Sequence, residues 1–120
     1  MNIETLLDEI IKAKIKLTNI IVSELQALIP TEISAIQWEQ YTPYFDDGSQ
    51  CYFNVHDPSL IKDDDKIYYY SNSKYESILT QIENIILLDS LSDIMLFLFG
   101  DHVQVTVYKN SYTIEPFNHE

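Results

Sequence analysis

The chain contains no arginine. That removes the planar, bidentate guanidinium with which proteins clamp phosphates and carboxylates, and with it many phosphoryl-transfer mechanisms. All seven basic residues are lysines, set against 19 acids for a formal charge of −12. Nucleic acid and anionic membrane are therefore poor partners, because binding either one rests on neutralising phosphates with Lys and Arg. Such a field attracts a basic protein surface instead. Glycine is nearly as scarce, at positions 48 and 100 only, and this excludes a glycine-rich phosphate loop. The single cysteine, Cys51, rules out an internal disulfide framework and fits a reducing compartment. No run approaches the roughly 18 apolar residues that span a bilayer. The opening MNIETLLDEI carries acids where a signal peptide carries positive charge, and Lys12, Lys14 and Lys16 interrupt the apolar residues after it. These absences describe one soluble domain, residues 1–120, with the cytoplasm as its expected location.

What the chain does have is pattern. Ile3, Leu6, Leu7, Ile10, Leu17, Ile20, Ile21, Leu25 and Leu28 recur at helical spacing and predict one long amphipathic helix over 3–29, capped by Asn2 and stopped by Pro30. A helix that long in a chain this short is expected to cross the whole domain and pack on a sheet or a partner. From Ile33 the period changes. ISAIQW and CYFNV are rich in β-branched and aromatic residues, and Asp47-Gly48 between them signals a hairpin with a long tip from Thr42 to Gln50. HDPSLIKDDDK, His56 to Lys66, reads as a surface loop, since Asp57-Pro58 starts turns and three adjacent aspartates cannot share a core. IYYY, Ile67 to Tyr70, reads as a short strand. Lys74 to Leu88 reads as a helix capped by Asn72 or Ser73, and LSDIMLFLF as a shorter helix ending at Gly100. Val103, Val105 and Val107 alternate with polar residues and lead through Lys109-Asn110 into a last strand. The fold class expected is α+β: a long N-terminal helix, an antiparallel sheet from two hairpins, and one or two helices inserted between them.

Two stretches carry a resemblance: WEQYTPYFDDGSQCYFNVHDP, Trp38 to Pro58, and FGDHVQVTVYKNSYTIEPFNHE, Phe99 to Glu120. They resemble a family of small bacterial and phage proteins with a W-x-x-Y-T-P-Y-F-x-D-G-x-x-C-x-F-x-V core and a carboxy-terminal F-G-D-H-V-x-V pattern. The resemblance implies a cytosolic accessory protein, in the host cytoplasm if phage-encoded. It carries over no catalytic residue.

Each cluster of reactive residues has a bland alternative. The aromatic and acidic stretch from Tyr41 to Val55 is either a recognition tip, with Tyr41, Tyr44, Asp46 and Asp47 meeting basic side chains, or hairpin chemistry alone. His56-Asp57 and Asp101-His102 are His-carboxylate neighbours without any known zinc or calcium spacing, so no metal and no cofactor are expected. Cys51 lies in an expected strand, where a small buried hydrophobe is the ordinary reading. Tyr68, Tyr69 and Tyr70 are consecutive, so alternation exposes at least one of them. Residues 31–66 hold eight acids and two lysines, a net of −6, half of the total.

These features point to a non-enzymatic inhibitor that presents Tyr41, Tyr44, Asp46, Asp47, Asp57, Asp63, Asp64, Asp65 and Tyr69 to a basic partner, such as a nucleic-acid-binding protein or a nuclease. A phage anti-defence factor of the anti-CRISPR kind has this signature. An immunity protein against a toxin nuclease shares it, and a small-ligand binder or enzyme built on Asp101, His102 and the aromatic hairpin is a third reading. The exposed side of the first helix leaves a homodimer open.

Overall fold

Asn2 opens the first helix as expected. Its Oδ1 accepts a hydrogen bond from the Thr5 backbone N–H at 2.8 Å, and α1 then runs from Ile3 to Ala27. The computed structural model that shows this describes residues 2–44, 48, 50–68, 73–88 and 91–118. Leu28 closes the helix, and Pro30, which lacks an N–H, comes two residues later. Only the last third of α1 is anchored: Thr18, Ile21, Val22 and Leu25 are buried, at spacings that keep one face on the sheet. The end of the helix is tied down by Gln26 Nε2, which donates to the Tyr108 carbonyl at 3.0 Å. Just beyond it, Lys109 Nζ donates to the Thr31 carbonyl at 2.7 Å.

Among the described residues six antiparallel strands make the sheet: β1 (Ala35–Tyr41), β2 (Asn54–Val55), β3 (Ser59–Lys62), β4 (Asp65–Ile67), β5 (Val103–Tyr108) and β6 (Tyr112–Pro116). The order is β4-β3-β1-β5-β6, with β2 also paired to β1. A single 3-10 turn (Ser73–Tyr75) leads into α2 (Glu76–Ile86), and α3 (Ser92–Phe99) precedes β5. The α+β architecture is as expected, with both short helices inserted between β4 and β5.

Three local expectations change. The stretch from His56 to Lys66 is not a loop: β3 lies beside β1 and turns into β4 through Asp63 and Asp64, with φ of 51° and 70°. Positive φ at both central residues is the turn geometry that matches strand twist, and aspartate tolerates it well. Where IYYY was expected to form a strand, only Ile67 is in β4; Tyr68 comes after the strand, and Tyr69 and Tyr70 lie outside the described residues. Cys51 is half-buried and outside any strand, because the return leg of the first hairpin pairs only at Asn54 and Val55. The tip residues Phe45, Asp46, Asp47 and Ser49, and the candidate cap Asn72, lie outside the described residues; Tyr75 precedes α2 and makes no side-chain cap.

The described helices pack on one face of the sheet. Ile36 and Trp38 from β1, Val55, Leu60, Val105 and Val107 meet Leu25, Leu79, Ile82, Ile86, Met95 and Phe99 in one core. At its centre sits a buried polar link. Gln40 Oε1 accepts from Trp38 Nε1–H at 3.0 Å, while Gln40 Nε2 donates to the carbonyls of Met95 and Gly100 at 2.9 and 2.8 Å. The amide is thereby satisfied on both its donor and acceptor atoms, and it fixes the end of α3 against β1. Gly100 has φ of 98° and ψ of 176°, backbone space that is essentially glycine's alone.

Candidate functional site

Alternation along β1 separates two kinds of residue. Ile36, Trp38 and Gln40 are fully buried under the helices, while Gln37, Glu39 and Tyr41 point to the opposite face and are half-buried. Cross-strand pairing extends that second face. Glu39 is opposite Gln104, which is opposite Glu115; Gln37 is opposite Thr106, which is opposite Thr113. The Gln37 amide donates to Thr106 Oγ1 at 3.0 Å, and Lys66 on β4 reaches Glu39 at 3.8 Å. Glu39 thus has one cation beside it, whereas Glu115 on the same face is exposed.

The register along the other edge of β1 contains an irregularity that builds the site. Tyr41 faces Asn54 and Gln40 faces Val55, but Gln37 faces Ser59, so β2 and β3 together hold one residue more than β1. The extra residue is a β-bulge across His56–Pro58, and the buried Pro58 sits there, where its missing N–H costs no ladder bond. His56 N–H still donates to the Glu39 carbonyl at 2.9 Å, and this sets the imidazole on the Glu39 face. There it stacks on Tyr41, with ring centroids 4.1 Å apart and planes 18° from parallel. Tyr41 in turn stacks on Phe117 at 5.6 Å, just beyond β6. Glu39, Tyr41, His56, Asp57, Tyr68 and Phe117 line one shallow depression.

A second aromatic pair forms its neighbour. Tyr44, 58% exposed, stacks on His102 at 4.8 Å. Asp101 holds that corner: its Oδ1 accepts from the backbone N–H of Thr42 and of His102 at 2.7 and 2.9 Å, and its Oδ2 accepts from Thr42 Oγ1 at 2.8 Å. Burial pushes the Asp101 carboxyl up, but these hydrogen bonds and the adjacent imidazole outweigh it and leave the pKa below its ordinary 3.8. The two stretches with sequence resemblance therefore meet in space, Thr42-Pro43-Tyr44 against Gly100-Asp101-His102. Asp101 here clamps two chain segments together, with both carboxylate oxygens engaged.

The expected site residues divide into two groups. Tyr41, Tyr44 and Asp57 gather at the Tyr41 end of β1. Asp63, Asp64 and Asp65 turn at the opposite end, because Ile61 faces Ala35. The six residue steps from Ala35 to Tyr41 put about 20 Å between the two ends. Among the described residues, Asp57 and the Asp63–Asp65 turn therefore lie well apart along the sheet. Asp46, Asp47 and Tyr69 lie outside the described residues. Sequence reasoning missed Glu39, His56, Tyr68 and Phe117 as members of the depression. Period-2 alternation through Gln37-Glu39-Tyr41 was available as a signal for Glu39; nothing local announces Phe117, which arrives from the other end of the chain.

Asp57 also acts across the edge of the sheet. The carboxyl of Glu83 on α2 is raised above its ordinary 4.5, first by burial and then by the negative charge of Asp57. Among the described residues no three His, Cys, Asp or Glu side chains converge to hold a metal ion, and no helix is long and apolar enough to cross a membrane. Comparison of the chain with protein families, curated proteins and solved structures yields no match.

Proposed function

We propose that this protein is a stoichiometric antagonist that docks the aromatic end of its sheet on a basic surface of a nucleic-acid-handling protein. The observation that carries the reading is the stacked run His56–Tyr41–Phe117, set beside the carboxylates Glu39 and Asp57 on the helix-free face of a chain with −12 charge and no arginine. Stacked, preorganised rings offer rigid contact area at low entropic cost, and the surrounding acids select a lysine- or arginine-rich partner. On this reading the hairpin is both structure and recognition surface: the clamp from Asp101 to Thr42 orders the segment that carries Tyr41 and the exposed Tyr44. A phage anti-defence factor and an immunity protein against a toxin nuclease are both of this type, and the identity of the partner distinguishes them.

The test is affinity capture of the tagged protein from its natural host, washed at low and high salt, with binding then measured against the retained protein. A basic partner that is shed at high salt, loses affinity for Tyr41→Ala and Asp57→Lys, and is displaced by nucleic acid is the expected result. A partner that binds equally at high salt and ignores both substitutions overturns the reading. Trp38, fully buried in the core, reports by its fluorescence that the variants are folded.

A further inference from the structure

The first half of α1 has no cover within the described chain. Ile3, Leu6, Ile10, Ala13, Leu17 and Ile20 are all exposed, Ile3 at 73% and the other large residues between 40 and 49%. Their spacing alternates three and four residues, which is a coiled-coil seam and not the stripe that faces the core. The core contacts are made by Thr18, Ile21, Val22 and Leu25, at other heptad positions. Leu7, Ile11 and Ile15, exposed at 53, 54 and 56%, lie away from the seam, on the extension of the stripe that Thr18, Ile21, Val22 and Leu25 bury. The five large seam side chains together leave roughly 450 Å² in water, a contiguous patch of the size that often serves as an interaction site. The projecting helix also expands the molecule: its radius of gyration is 15.7 Å, against about 13.5 Å expected for a compact chain of this length.

The charges on this arm are ordered. Glu4, Asp8 and Glu9 precede Ile10; Lys12, Lys14 and Lys16 come after Ile11. The arm is therefore neutral in sum but polar along its length, and the whole −12 resides on residues 18–120. We propose that the arm pairs antiparallel with the same arm of a second copy of this chain. In that register Ile3 meets the partner's Ile20, Leu6 meets the partner's Leu17, and Ile10 meets the partner's Ala13, a large residue against a small one in the central layers. Glu9 falls beside the partner's Lys16, twice by symmetry, and Leu7 falls beside the partner's Lys14, whose ammonium lies 5.5 Å from the exposed ring of Phe97 in its own chain. A parallel pair would also set Glu9 beside the partner's Lys14, but it would stack Ile10 on Ile10 and Ala13 on Ala13 and bring two strongly acidic bodies to the same end. The antiparallel pair separates the bodies and joins opposite signs.

The proposal is tested by light scattering on the full chain. The expected mass is twice the 14.0 kDa of one chain, with a Kd in the micromolar range or tighter. Ile10→Asp should give a monomer with unchanged Trp38 fluorescence, since Ile10 touches nothing in the core. Glu9→Lys should weaken the dimer roughly tenfold, and Lys16→Glu in the same chain should restore it. Orientation is read by disulfide formation in a Cys51→Ser background. Mixing Ile3→Cys chains with Ile20→Cys chains should give the heterodimeric crosslink, and Ile3→Cys alone should give none. A wild-type chain monomeric at about 100 µM, or an Ile3-to-Ile3 crosslink, overturns the proposal.

Discussion

The two halves of α1 are built from the same residue types at the same spacing and live in opposite environments. From Thr18 to Leu25 the apolar face lies on the sheet with Leu25 fully buried; from Ile3 to Leu17 comparable isoleucines and leucines stand in water. Periodicity thus specifies that a helix forms and which face is apolar, but not what covers that face. The cover depends on the width of the sheet and the placement of α3, which are long-range facts. Nor is the arm held by helix propensity alone, because isolated helices of this length are marginal in water; it propagates from an anchored nucleus.

The sharpest way to break the comparison is to truncate one leucine or isoleucine in each half. Leu25→Ala opens a cavity in the core and should cost about 3 kcal/mol in urea denaturation. Ile10→Ala, measured at dilution that keeps the chain monomeric, should cost under about 0.5 kcal/mol. Equal costs in both halves would mean that the arm folds back onto the body.

Next in size is Gln40→Leu. It conserves bulk but leaves the Trp38 indole N–H without its acceptor and takes one donor from each of the carbonyls of Met95 and Gly100. A loss of about 2 to 3 kcal/mol is expected, visible as a lowered urea midpoint and a shifted Trp38 emission. This link was not legible in the sequence, where Gln40 reads as one more polar residue between Glu39 and Tyr41.

Legibility in the chain divides in the same way between local and long-range order. The helix from Asn2, the valine alternation of β5 and the glycine stop at Gly100 announce themselves because each is decided by neighbours within a few residues. The pair β3 and β4 was hidden because only Leu60 and Ile61 are apolar in Ser59–Lys62, and because Asp63-Asp64 reads as a charged loop until its positive φ values reveal a two-residue turn. At the candidate site, Tyr41, Tyr44 and Asp57 were visible as an aromatic and acidic stretch. Their union with His56 and Phe117 depends on a one-residue register shift and on the path of the last strand. Neither has a local signature.

The clamp at the edge of the site gives a smaller and pH-dependent effect. Asp101→Asn should cost about 1 kcal/mol at neutral pH, since an amide oxygen replaces one acceptor but not both. The wild-type carboxyl is held below its ordinary 3.8, so its contribution is present above that value and is lost as pH falls through the lower folded pKa. The acid limb of the stability curve should therefore be steeper for wild type than for Asp101→Asn below about pH 4. Parallel limbs would remove Asp101 from the account of acid sensitivity.

The smallest effect contrasts with it in sign, and lies at the other carboxylate whose environment the fold perturbs. Glu83 is raised above 4.5 by burial and by Asp57, so folding favours its neutral form. Its contribution to stability is greatest at low pH and declines as pH rises from the ordinary carboxylate value through the higher folded one. Glu83→Gln removes that decline and should stabilise the protein at neutral pH by a few tenths of a kcal/mol. Asp57→Asn, which leaves the burial of Glu83 intact and removes only the repulsion, should recover the smaller part of that gain. If a basic partner neutralises Asp57 in the complex, the gain from Glu83→Gln should shrink when the partner is bound. Isothermal titration at pH 5 and pH 7 would then show the wild type gaining more from the higher pH than the variant does, which ties a residue of the helix layer to events on the opposite face of the sheet.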